Sequence, residues 1–461
     1  MPDADHTRAE TRFFQGNRLM ADGDAVGAER CYRETLALWP ECAEAHVNLG
    51  LLVEARGARA DAEACYRRGL ALDEALPEGH LNLGALLARK GLLVEAETAY
   101  RRALDLAPDS VRALSNLGAL YAGMRRDGEA ESCCRRALAV APDATSARVN
   151  LAYLLLRQGR WDEGWRCLEA RDWYRALEPR LACPRWEGQS LDGRSIVVVY
   201  EAGHGDVIQF CRYAPLLRAR GAGRITLLCH PALTRLLTTL DGVDEVIGFD
   251  EAPPAGGWDC WTPLLSLPFH FGTRVDSVPA PIPYLHAASD RVAHWRDRIP
   301  RDGLRVGLVW KGNPRFENDA ERSLASLALL APLGGVDGVT FVSLQKGQGE
   351  DEARQPPRGL RLHHLGDDIR DFADTAAIVA DLDLVIAVDT AVAHLCGALG
   401  RPCWILLPDY MPDWRWLDGR EDSPWYPGIV RLFRRSAGDG WAPVIARVRA
   451  ALVDCVARGA A

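Results

Sequence analysis

A glycine recurs every 34 residues through the first third of this chain, at Gly16, Gly50, Gly84 and Gly118, and Ala152 continues the series. Three further columns keep the same step. Ala28, Ala62, Ala96 and Ala130 are followed by Gly164, and Tyr32, Tyr66 and Tyr100 by Cys134 and Leu168. Pro40, Pro108 and Pro142 close repeats, with Glu74 in the equivalent place. A fixed period of this length means that one supersecondary unit is repeated and stacked. The small residues let the two helices of a repeat approach, and the Tyr fills the gap to the next helix. Pro ends the second helix, because it lacks an N–H and clashes with the preceding turn. Each unit exposes an apolar face until a neighbour covers it.

This pattern resembles the tetratricopeptide repeat. The resemblance implies an α-helical superhelix with a concave surface over residues 9–172. In the fifth repeat Gly164 and Leu168 replace the Ala and the aromatic, and Trp161, Trp165, Trp173 and Tyr174 cluster there. That composition predicts a capping repeat, with a linker over 173–190. A further column is Asn48, Asn82, Asn116 and Asn150, each two positions before the Gly or Ala. The resemblance places this column on the concave groove. Its amides can donate and accept to a polypeptide backbone whatever the sequence. In protein O-glycosyltransferases that carry such repeats, a ladder of this kind holds the acceptor chain. The alternative use of these residues is as ordinary repeat consensus.

With 461 residues, the chain has room for more than the array. From Ser195 the pattern changes to short apolar runs separated by helical stretches. The runs are Ser195–Tyr200, Ile225–Cys229, Glu245–Phe249, Arg305–Trp310, Thr340–Leu344, Leu384–Val388 and Cys403–Leu407, with helices such as Asp206–Arg220 and Thr390–Leu399 between them. Strands apolar throughout, alternating with helices, predict parallel, doubly wound sheets. Pro279, Pro281 and Pro283, followed by a polar helix around Arg291–Ile299, read as a hinge between two Rossmann-like halves, 191–300 and 301–461. In such sheets ligands meet the carboxyl ends of strands and the N-termini of helices.

Three segments at predicted strand ends carry chemistry. The first is Glu201-Ala202-Gly203-His204-Gly205-Asp206-Val207-Ile208-Gln209-Phe210. Its glycines permit a tight turn and close approach of a ligand to backbone N–H groups. Asp206 also suits a helix N-cap. The second runs from Trp310-Lys311-Gly312-Asn313-Pro314 to Asn318, Asp319, Arg322 and Ser323. Lys311 and Arg322 are fixed cations able to stabilise a departing nucleotide phosphate without a metal; Arg322 could instead pair with Asp319. The third is Val388-Asp389-Thr390-Ala391-Val392-Ala393-His394. Asp389 ends a strand, and Thr390 opens a helix whose N-terminus attracts phosphate. His394 is a candidate ligand contact or a satisfied buried histidine. The pair Asp381 and Asp383 matches a metal-binding D-x-D, but it precedes a strand rather than following one, so no metal is expected. The aromatic segment holding Trp414, Trp416, Trp425 and Tyr426 could flank a nucleotide base or simply pack the two halves together.

The run Asp371-Phe372-Ala373-Asp374-Thr375-Ala376 and the Asp389–His394 motif resemble the family-9, heptosyltransferase-like glycosyltransferases found attached to tetratricopeptide repeats in bacteria. The resemblance implies a glycosyltransferase-B fold, cytoplasmic, soluble, and acting on a nucleotide-sugar donor without cofactor or metal. It implies Asp206 as catalytic base, with His204 as a second base or an acceptor-positioning group. Donor binding falls to Lys311, Asn313, Arg322, Asp389, Thr390 and His394, and acceptor-peptide binding to Asn48, Asn82, Asn116 and Asn150. Related architectures include flagellin O-glycosyltransferases, so flagellin is a candidate acceptor. Ala391 departs from the Gly of the family's D-T-G-x-x-H motif.

Composition excludes other classes. Net charge is −8 and the arginines are interleaved with acids, which argues against a nucleic-acid partner. Met1–Glu10 is polar, with no apolar core of signal length, and runs such as Ile196–Tyr200 are too short to span a bilayer. The 13 cysteines form no Cys-x-x-Cys and read as small buried hydrophobes in a reducing compartment. Three readings stand: a transferase on protein Ser or Thr hydroxyls held by the array; a transferase on a lipid-linked or soluble glycan, with the array recruiting partners; and a non-catalytic scaffold with a degenerate transferase fold.

Overall fold

A computed structural model describes residues 2–252, 257–279, 282–316 and 318–459, with side chains from Ala4 onward. Pro281 of the expected hinge lies outside the described residues. The chain divides into two compact units, Met1–Leu154 and Leu155–Ala461.

In the first unit, helices pair into antiparallel hairpins: α1 (Pro2–Ala21) with α2 (Ala25–Leu38), α3 (Ala43–Ala55) with α4 (Arg59–Leu72), α5 (Pro77–Arg89) with α6 (Leu93–Leu106), and α7 (Val111–Gly123) with α8 (Asp127–Val140). The periodic columns explain the pairing. A β-carbon on Gly16, Gly50 or Gly84 would lie 2.7, 2.6 or 2.8 Å from the ring of Tyr32, Tyr66 or Tyr100 in the same hairpin. These rings are buried, as are Ala28, Ala62, Ala96 and Ala130. The tyrosine therefore seats on its own repeat's glycine, and Tyr32 also reaches Asn48 on the following helix, as its expected role requires. Burying each ring contributes on the order of 2 kcal/mol. In the fourth hairpin Cys134 Sγ takes the ring's place, 2.9 Å from where a Gly118 β-carbon would stand.

A second ladder runs along the outside. Glu29, Glu63, Glu97 and Glu131 share the 34-residue step, and each pairs with an Arg four residues on: Arg33, Arg67, Arg101 and Arg135. The first three are also gripped from the following repeat, by Arg56 at 2.7 Å, Lys90 at 2.6 Å and Arg126 at 2.6 Å. Exposed pairs are individually weak. Here they recur at one register and so favour one stacking of neighbours.

The second unit holds two parallel sheets. β1 (Ser195–Val199), β2 (Arg224–Cys229), β3 (Glu245–Gly248) and β4 (Cys260–Pro263) form the first, in the order β3-β2-β1-β4. β5 (Leu304–Val309), β6 (Val339–Ser343), β7 (Leu362–His364), β8 (Leu384–Val388), β9 (Cys403–Leu407) and β10 (Val430–Arg434) form the second, in the order β10-β9-β8-β5-β6-β7. Every strand pair is parallel. The second order is that of a doubly wound dinucleotide-type sheet, and the first is its shortened counterpart. The chain reverses direction across the sheet between β1 and β4 and between β5 and β8, which are the crevices where ligands enter such folds.

The expected helix Asp206–Arg220 is only partly α-helical. It forms α-helix over His204–Phe210 and tighter 3-10 turns over Cys211–Arg220, where Pro215 interrupts the hydrogen bonding. The segment expected as a linker is docked: Trp186 N donates to the carbonyl of Trp261 in β4 at 2.7 Å, and Tyr174 packs on the Trp261 ring. The Trp161–Leu168 helix sends Trp161 onto Trp425, with ring centroids 5.0 Å apart, and Trp165 onto Trp414 at 5.3 Å. The aromatic segment near the C-terminus thus packs on the tryptophans of the fifth repeat.

Candidate active site between the two parallel sheets

β1 delivers Glu201 to the end of its sheet, where it is buried and ion-paired with Arg171 at 2.8 Å. Ala202 follows in the left-handed region, with φ 56°, a strain that non-glycine residues tolerate only when their surroundings enforce it. Gly203 then caps the His204–Phe210 helix. Asp206 stands at the third position of that helix. Its Oδ2 accepts the Gly203 N–H at 2.7 Å, and its Oδ1 is ion-paired with Arg415. The cap position belongs to Gly203, and Asp206 closes the turn from inside, correcting the N-cap alternative. Burial pushes the Asp206 carboxyl above its ordinary value, while Arg415 pulls it down. His204 stacks on Phe372 and lies beside His230, with centroids 5.2 and 4.6 Å away. Burial and the His230 ring bring its pKa down to about 4, so it is neutral at pH 7.

β8 delivers the second group. Asp389 is buried, and burial with Asp413 nearby pushes its carboxyl up to about 6, against the pull of the Trp416 indole, Arg322 and Arg415. Thr390 is the N-cap of the Ala391–Ala398 helix, yet its side chain makes no capping bond and its Oγ1 is buried without a hydrogen-bond partner among the described residues. His394 Nδ1 lies 3.0 Å from Tyr426 Oη, and its ring stacks on Trp416 at 5.2 Å. Burial holds this imidazole well below its usual range.

β5 delivers the third. Trp310 N and Lys311 N each donate to Gln345 Oε1 at 3.0 Å. Lys311 Nζ is engaged by Glu352 at 2.9 Å, and Arg322 Nε by Asp319 at 3.1 Å with its guanidinium over Phe316. Both expected donor cations thus carry carboxylate partners of their own. Asn313 is exposed and accepts the Arg315 N–H at 3.0 Å, an Asx turn that shapes the loop.

The first and second groups meet. A β-carbon on Gly205 would lie 2.9 Å from His394 Cδ2 and 3.5 Å from Ala391 Cα. The missing side chain lets the helix after β1 press against the helix after β8. Arg322 joins them electrostatically, since its charge acts on both Asp389 and His394. Lys311 and Asn313 make their contacts within their own half. The residue at the centre is one the sequence reading passed over. Arg415 is buried, donates to Asp413 Oδ2 at 2.8 Å and to Gln209 Oε1 at 2.6 Å, and pairs with Asp206. An Asp-x-Arg inside an aromatic run was its only signal. Asp381 and Asp383 are held by Arg305, at 3.3 and 2.7 Å, on the far side of β8. Among the described residues, no group of three or more His, Cys, Asp or Glu is placed to hold a metal ion. No helix among them is long and apolar enough to cross a membrane.

In the first unit the Asn column divides. Asn48 Nδ2 donates to Asn17 Oδ1 and Asn150 Nδ2 to the Ser115 carbonyl, each at 3.0 Å, tying successive first helices together. Asn82 and Asn116 have no side-chain hydrogen bond among the described residues.

Residues 15–77, 55–111 and 115–182 match the tetratricopeptide repeat model. The N-terminal region carries tetratricopeptide repeats. Over 329 residues the chain is 31% identical to Protein FlbA of Caulobacter vibrioides (strain ATCC 19089 / CIP 103742 / CB 15). That match covers 66% of this chain and 54% of FlbA, so the chain spans about half the length of the curated relative. Solved structures similar to it include MamA, at 24% identity and a TM-score of 0.30 over 36% of this chain and 94% of that one. Another is YrrB, described as a TPR protein with an unusual peptide-binding site, at 17% identity and a TM-score of 0.30 over 36% of this chain and 84% of that one.

Proposed function

We propose that the protein is an inverting, metal-independent glycosyltransferase that moves a sugar from a nucleotide-sugar donor to a Ser or Thr hydroxyl of a polypeptide held by the repeat array. The observation that carries this reading is the contact of Gly205 with His394, which joins the strand-end segments of two parallel sheets at their ligand-binding ends. In this reading Asp206 takes the proton from the acceptor hydroxyl, and burial makes it a stronger base than an exposed carboxylate. Each of its oxygens retains acceptor capacity beyond the bonds to Gly203 and Arg415. The donor phosphate lies at the N-terminus of the Ala391–Ala398 helix, where the unpartnered Thr390 hydroxyl is available to it. His204, neutral at pH 7, orients the acceptor. The two half-sheets form the glycosyltransferase-B pair, and Asn82 and Asn116 offer unspent amides to the acceptor backbone.

A second reading, a non-catalytic scaffold, is favoured by the engagement of Lys311 by Glu352 and of Arg322 by Asp319. Intact-mass spectrometry separates the two. Candidate acceptors, flagellin foremost, are co-expressed with the protein or with Asp206→Ala in a host making the native nucleotide sugars. A mass increment with the wild type alone supports transfer, and its size gives the sugar class. No increment, together with no thermal stabilisation by any nucleotide, supports the scaffold.

A further inference from the structure

Among the bonds of Arg415, those to Asp413, Gln209 and Asp206 differ in how readily they can be exchanged. Asp413 is two residues away in the same turn: its Oδ1 accepts the Arg415 N–H at 2.9 Å and its carboxylate grips Nη1. That pair is local and survives any shift of the loop. Nε donates to Gln209 Oε1 at 2.6 Å. Nη2 alone reaches Asp206, on the helix that follows β1. A carboxylate held by a guanidinium is a weakened base, because the cation stabilises its charged form.

Among the described residues, the buried groups beside this cluster that lack hydrogen-bond partners include Gln209 and Thr390. Gln209 is fully buried, and with its Oε1 taken by Arg415 its Nε2 has no acceptor. Thr390 Oγ1, next in sequence to Asp389, has none either. Buried donors left unmade are costly, and an oxygen-rich ligand would satisfy both. Lys311 and Arg322 are already matched to Glu352 and Asp319.

We propose that Arg415 is a positioning residue shared between Asp206 and the donor: in the donor-free protein it holds Asp206 in an ion pair, and a nucleotide phosphate competes for its Nη2 edge and releases Asp206 to act as base. This rests on the transferase reading and adds an order to it, since the base is freed only once the donor is in place. Arg415 remains protonated throughout, and only its ion-pair partner changes.

The test is calorimetric titration of UDP, GDP, CDP and CMP into the full-length wild type, Asp206→Asn and Arg415→Lys. Asp206→Asn keeps the shape but gives up its claim on the guanidinium, so nucleotide affinity should rise about fivefold or more, within the usual range of coupling between sites. Arg415→Lys should bind more weakly but measurably and retain part of the transfer rate; Arg415→Met should bind none. An Asp206→Asn affinity equal to or weaker than that of a nucleotide-binding wild type would overturn the exchange while leaving the transferase reading intact. Absence of binding to the wild type by all four nucleotides at millimolar concentration overturns both.

Discussion

Gly205 faces His394 so closely that a single added methyl group would stand 2.9 Å from the imidazole Cδ2. The ring cannot retreat, because Tyr426 holds its Nδ1 and Trp416 lies against its face. Close approach of the two strand-end helices is therefore fixed by the absence of a side chain, and the remaining contacts of the site depend on it.

Gly205→Ala should separate the helices by a few tenths of an ångström and cost about 1–3 kcal/mol through overpacking. Catalytic geometry is more sensitive than folding to such a shift, so transfer should fall at least about tenfold while far-ultraviolet circular dichroism is retained. Wild-type turnover in this variant would show that the spacing is not used.

Asp389 should make stability depend on pH in a defined direction. Its folded carboxyl is raised from 3.8 to about 6, so the folded state holds the proton more tightly than the unfolded chain does. Its contribution is neutral in acid and becomes a penalty as pH rises from about 4 to about 6. Asp389→Asn should raise stability at pH 7.5 by on the order of 2–3 kcal/mol and make no difference near pH 3.5. Urea denaturation at the two pH values measures this, and equal effects at both would refute the assignment.

In the array, Gly50→Ala should destabilise by about 1–3 kcal/mol, because the new methyl meets the buried Tyr66 ring at 2.6 Å. Adding Tyr66→Leu should recover part of that loss, giving a non-zero coupling in a double-mutant cycle followed by thermal unfolding. The same Ala at Gly118, opposite Cys134, should cost less.

The asparagines should separate by role. Asn48→Ala and Asn150→Ala each remove a hydrogen bond between successive repeats and should cost about 1 kcal/mol. Asn82→Ala and Asn116→Ala remove amides with no partner in the array, and should leave the melting temperature nearly unchanged while weakening acceptor binding. Loss of stability from the second pair with unaltered acceptor affinity would count against the ladder.

The repeat was legible because a stacked array imposes its spacing on the chain itself. Gly50 and Tyr66 lie within one 34-residue unit, and their contact recurs wherever the pair recurs. The central strands β1, β5, β8 and β9 were legible because burial on both faces makes them apolar throughout. β4, β7 and β10 were missed for matching reasons. β4 is four residues ending in Pro263, β7 is three residues at a sheet edge, and β10 alternates charged and apolar residues along the other edge.

The sequence by itself determined that two kinds of architecture share this chain, and that Asp206, Lys311 and Asp389 follow parallel strands. Period and strand hydrophobicity are local properties, written wherever they act. Only the tertiary structure decided that Asp206 and Asp389 converge, that Lys311 is turned to Glu352, and that Arg415 stands between Asp206 and Asp413. Those outcomes depend on which distant segments share a low-dielectric space, where each buried charge must find a partner, and partners 209 residues apart leave no periodic trace in the chain.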